Sequence, residues 1–167
     1  VLIRSSCGHS SSKKDNKNDT DTMSENTDSV TIDINDDDFA TYFVVVADTG
    51  LDYYVLEKKM NKLSKKLDMT IDLMGRYFNK DKNLIALPDN DEDEIYAGDY
   101  FPRRFPSTTL SLEYLDFYQR NAGTETIALV CGVYELETSA DSAAKVFKKT
   151  ESKAFVIESE IFIGCMH

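Results

Sequence analysis

Twice along this chain the hydrophobic period changes from two residues to about 3.6 and back again, the signature of a strand–helix–strand unit. The second occurrence is the clearer. Ile127 to Tyr134 is an apolar run of strand length bounded by polar residues. Ser139 to Lys149 then takes helical spacing, with Ala140, Ala143, Ala144 and Phe147 on one face and Asp141, Lys145 and Lys148 on the other. Ala154 to Ile157 returns to a short β-type run. The first occurrence begins at Tyr42–Ala47, a run of aromatic and β-branched residues. From Leu51 to Leu67, Tyr53, Leu56, Met60, Leu63 and Leu67 step by three or four, and lysines 58, 59, 62, 65 and 66 fill the outer face. Either Thr49 or Asp52 would cap that helix. Thr70 to Met74 is predicted as the returning strand, closed by Gly75.

Residues 1–38 have a different composition. Ser, Asp, Asn, Lys and Thr dominate and large apolar side chains are nearly absent, which predicts a disordered tail ahead of one domain over residues 39–167. The net charge of −11 and pI of about 4.6 argue against nucleic acid or an anionic membrane surface as partner. No apolar stretch reaches the length of about eighteen residues that a spanning helix needs. The two histidines, His9 and His167, lie near the ends of the chain, which removes most Ser-His-Asp, Cys-His and histidine-ligated zinc schemes. Cys131 and Cys165 are a candidate disulfide if their strands are neighbours; otherwise they are two buried thiols.

The middle of the chain, residues 76–123, stands between the two units. Leu84–Pro88 is predicted as a short strand ended by proline. Asp89–Glu94 alternates oxygens as a calcium loop does, but Glu94 and Tyr100 stand where that loop requires glycine and glutamate, so a solvated acidic loop is expected and no metal. Next, Ile95–Ser107 sets Arg103 and Arg104 among Tyr96, Tyr100, Phe101 and Phe105. Arginines that fork a carboxylate and rings that stack on a sugar face would suit a carboxylated glycan. The competing reading is a loop pinned by its aromatics, its arginines neutralising the acidic run. Leu110–Tyr118 fits an edge strand and a helix equally well.

Together, the residues Leu129–Tyr134, Ser139–Phe147 and Ala154–Ile157 resemble the SPOR family, and the first unit is similar with Ala47 in place of the strand glycine. The resemblance covers about half of the chain. It implies an α+β fold, ferredoxin-like, in which two βαβ repeats form an antiparallel sheet with helices on one face and a long insertion between the repeats. It also implies a non-catalytic, cofactor-free module of the bacterial cell envelope that binds peptidoglycan glycan on its open sheet face. Ser5-Ser6 before Cys7, followed by Gly8 and a polar stretch, resembles the end of a lipoprotein signal peptide, which makes Cys7 the expected lipidation site and the tail a tether to a periplasmic or outer-membrane location. The expected ligand-binding residues are Arg103, Arg104, Tyr96, Tyr100 and Phe101, with Tyr42 and Tyr134 on the sheet. The alternative is a protein-interaction subunit of an envelope complex that docks through 76–123. An enzyme is not expected, because the carboxylates cluster in solvated runs rather than singly beside apolar segments.

Overall fold

A computed structural model describes residues 38–164. The tail, with Cys7, and the last three residues, with Cys165, lie outside the described residues.

The described part is α+β. Strand β1 (Phe39–Gly50) leads to helix α1 (Tyr53–Leu67). A small hairpin, β2 (Tyr77–Asn79) and β3 (Leu84–Ala86), comes next. Strand β4 (Ser111–Tyr114) runs into a 3₁₀ turn at Leu115–Phe117. The chain ends with β5 (Ile127–Tyr134), α2 (Glu137–Lys148) and β6 (Phe155–Phe162). Four strands form the main sheet in the order β4–β5–β1–β6, each antiparallel to its neighbour. This arrangement is compatible with a ferredoxin-like fold.

Local chemistry explains where the elements stop. Asp52 caps α1: its side chain accepts the Val55 N–H at 3.1 Å, leaving Thr49 inside β1. At the other end Asp68 adopts a left-handed conformation (φ 53°) and its N–H closes on Ser64 O, with Lys65 and Lys66 in the last turn. The expected strand Thr70–Met74 is not one. Ile71 makes a single parallel bridge to Leu110, and then Asp72 Oδ1 takes the Met74 N–H at 2.9 Å. Met74 and Gly75 both have positive φ, so the chain turns away. The strand that returns beside β5 is β4. The long extra segment therefore precedes β4, within the first strand–helix–strand unit, and 76–123 contains a core strand.

Both faces of the sheet are covered. On one, Leu56, Met60 and Leu63 of α1 and Ala140, Ala144 and Phe147 of α2 pack on Val45, Ala47, Leu112, Leu129 and Cys131. On the other, Val44, Val46, Ala128 and Val130 are fully buried and cluster with Leu115 and Tyr118. The open face implied by the resemblance is thus closed over its centre by Leu115 of the 3₁₀ turn and by Tyr118 just beyond it.

Cys131 is a free thiol buried in the helix-side core, and burial pushes it up to about 12. Strand β1 lies between β5 and β6, and the candidate bridge from Cys131 to Cys165 falls outside the described residues.

Beside Cys131 the pairing of β1 with β5 slips, Val45 facing Gly132 and Val46 facing Val130. Gly132 takes a φ of 150°, and a Cβ there would stand 2.8 Å from the Tyr134 ring. Gly132→Ala therefore meets backbone strain and a clash with packed aromatic atoms. We expect it to lower unfolding free energy by about 1–3 kcal/mol in urea titration.

Candidate functional site

Glu113 is the lone carboxylate of β4, between Leu112 and Tyr114. The register of β4 with β5 pairs it with Ala128 and so points it away from the helices. It is completely buried. Two guanidiniums reach it from the preceding segment: Arg103 Nε at 2.9 Å and Arg76 Nη2 at 3.6 Å from Oε1. The first contact pairs the charges without the alignment of a hydrogen bond. Ser111 donates to the same oxygen, and Tyr118 and Tyr100 donate to Oε2, the latter at 3.3 Å.

The arginines are held on their other sides as well. Arg103 donates to Ser107 Oγ (2.9 Å), Ser111 Oγ (2.6 Å) and the Thr109 carbonyl (3.3 Å). Arg76 donates to the carbonyls of Leu73 (3.0 Å) and Phe101 (2.7 Å), with its guanidinium 5.0 Å above the Tyr100 ring. This cluster fastens the long segment to the edge strand. Burial pushes the Glu113 carboxyl up, but Arg103, Arg76, Ser111 and Tyr118 outweigh it and hold it below its usual 4.5. The same burial, with Glu113 close by, drives the Tyr100 and Tyr118 phenols well above 10. A carboxylate kept ionised in this way is a poor proton donor at neutral pH.

The expected ligand residues divide accordingly. Arg103 is 3% exposed and committed to Glu113, and Tyr100 is buried against Tyr114 and Phe117. Neither stands on an open loop, and both also line the cleft described below. Among the described residues no arginine forms an ion pair with the acidic run, in which Lys82 answers Asp89 at 2.6 Å. Among the described residues no group of acidic, histidine or cysteine side chains is arranged to hold a metal. Tyr42 and Tyr134 separate, Tyr42 packing on the face away from the helices and Tyr134 on the helix side.

What remains together is a cleft of about 300 Å³ between the 96–104 segment and the end of β6. Arg104 is half-buried at its wall, donating to the Tyr96 hydroxyl and lying 5.6 Å from the Tyr96 ring and 5.5 Å from Phe162. Tyr100, Pro102, Arg103, Phe117, Tyr118 and Ile161 also line it, and Phe101, outside the lining, meets Tyr96 edge-on at 5.0 Å. Sequence reasoning found Arg104 and Tyr96 but missed Glu113 and Arg76. A single carboxylate inside an apolar run, at Leu112-Glu113-Tyr114, was the available signal.

Comparison with protein-family models, with curated proteins and with solved structures returned no match. Among the described residues no helix is long and apolar enough to cross a membrane.

Removing Arg103 takes the nearer guanidinium from a fully buried carboxylate and leaves Glu113 facing only the more distant Arg76. Arg103→Ala should therefore cost about 3–5 kcal/mol of stability in urea titration, whereas Arg104→Ala should cost under about 1 kcal/mol. The depressed Glu113 carboxyl also sets an acid dependence. Its contribution is complete above the unfolded value near 4.5 and is lost as pH falls from there through the lower folded value. Thermal melts between pH 7 and 2.5 should show a decline that begins below about 4.5. A melting temperature flat across that range would contradict the assignment.

Proposed function

We propose that this chain is a non-catalytic module of the bacterial cell envelope that binds a carboxylated glycan such as peptidoglycan. The Arg104 cleft supports the reading: aromatic rings and a guanidinium face one concave space. A sugar ring would lie against the aromatic wall, and Arg104 would fork a lactyl or peptide carboxylate. In this reading the ligand uses the sheet's edge, because the central face expected from the SPOR resemblance is packed against Leu115 and Tyr118. Cys7, as the lipidation site, would tether the module through the polar tail.

The test is co-sedimentation of the full chain with purified sacculi, intact and stripped of stem peptides. Retention on sacculi, reduced about tenfold in affinity by Arg104→Ala or Tyr96→Ala with the fold intact, is the expected result. Retention unchanged by either substitution would move the site elsewhere, and no retention on either preparation would end the glycan reading.

One observation favours a second reading. Ile95 and Phe105, on the same segment, are 53% and 65% exposed, as an anchor for a protein partner would be. A pull-down from solubilised envelopes that recovers one stoichiometric partner, lost on Phe105→Ser, would favour docking over polymer binding.

A further inference from the structure

Strand β6 ends the sheet on one side, and among the described residues nothing pairs with its outer edge. Ile163 donates to the Asp38 carbonyl at 2.7 Å. Antiparallel pairing alternates, so the backbone groups of Phe155, Ile157, Ser159 and Ile161 turn toward β1, and those of Val156, Glu158, Glu160 and Phe162 turn outward. The pairing with β1 runs from Phe155 to Phe162 without a shift of register, and β6 holds no proline or lysine, so this edge is regular and unblocked. The opposite edge of the sheet is closed. There β4 has four residues, the Tyr100 hydroxyl takes the outward Tyr114 N–H at 3.3 Å, and Leu110 just before the strand bridges to Ile71.

The side chains along the open edge are sorted by face. Val156 packs with the helix-side core, and Glu158 and Glu160 continue its row; Phe155, Ile157 and Ile161 pack on the other face. Both glutamates are exposed, and neither forms an ion pair among the described residues. We infer that this edge takes up an extended peptide segment of another protein with the pattern apolar-x-basic-x-basic-x-apolar. The peptide backbone satisfies the outward row of donors and acceptors, as an added strand does. Residues directly opposite share a face, so the two basic side chains stand against Glu158 and Glu160 and the apolar ones against Val156 and Phe162. A second copy of this chain fits less well. In any register it brings the glutamates of both strands into one row, and like charges across a ladder are unfavourable. An acidic segment is repelled in the same way. The inference holds whether or not the Arg104 cleft takes a glycan.

The experiment titrates the full ¹⁵N-labelled chain with the peptide acetyl-Val-Val-Lys-Thr-Lys-Val-Val-amide. The amides of Val156, Glu158, Glu160 and Phe162 should shift and become slow to exchange with solvent. The same peptide with glutamate in place of both lysines should bind about tenfold more weakly. Methylating the backbone nitrogens of both lysines keeps the charge but removes ladder donors, and should abolish the protection. The double variant Glu158→Lys, Glu160→Lys, changed only at exposed positions, should reverse the preference between the lysine and glutamate peptides. Equal binding of the two peptides to the native chain, undiminished binding of the methylated one, or an unreversed preference in the folded variant would each overturn the inference. Slow exchange of the same amides before any peptide is added would show an edge already filled, by the chain itself or by a second copy, and would overturn it too.

Discussion

A buried carboxylate between two guanidiniums holds the long middle of this protein to its sheet. The segment between α1 and β4 contains little regular structure beyond the β2–β3 hairpin, so its backbone has few ladder partners. Its position comes from side chains. Arg76 near its start and Arg103 near its end both close on Glu113, while each guanidinium also takes carbonyls or hydroxyls from the segment itself. Charges taken out of water seldom yield a large net gain over apolar packing, but the cost of separating them is high. Such a cluster therefore specifies one arrangement more than it deepens stability. The pair of arginines against one glutamate also leaves a net positive charge under the surface of an acidic protein, partly answered by backbone carbonyls and serine hydroxyls.

The sheet face that the resemblance implied to be open is packed in this structure. A sheet with helices on one side has a second side to hide or to use. Here Val44, Val46, Ala128 and Val130 fill it with apolar side chains, and Leu115 and Tyr118 complete the layer. The Arg104 cleft lies at the rim, where the middle segment meets the end of β6, and a second cavity lies on the far side of Tyr100 and Phe117, against the hairpin.

Much of the frame was legible in the sequence because periodicity is a strong signal wherever one face is buried. Residues 127–134 form a strand as the apolar run indicated, and α1 and α2 fall within two residues of their helical patterns. The error at residues 70–74 came from reading a short branched run without its turn chemistry: Asp72 capping Met74 outweighs the strand preference of Thr70 and Ile71. Leu110–Tyr118 looked ambiguous because it is composite, four residues of strand and then a 3₁₀ turn. The candidate site was half visible. Aromatics and arginines in one loop marked residues 95–107, but which arginine faces solvent depends on Glu113, a residue brought near by topology and not by sequence spacing.

Tyr100 is common to these features. Its ring separates the two clefts and its hydroxyl donates to Glu113 while accepting the Tyr114 N–H at 3.3 Å. A molecule that displaces this ring from either side alters the wall of the opposite cavity and loosens a hydrogen bond of the buried ion cluster. By thermodynamic reciprocity, whatever one occupant does to the affinity of the other is returned in equal measure.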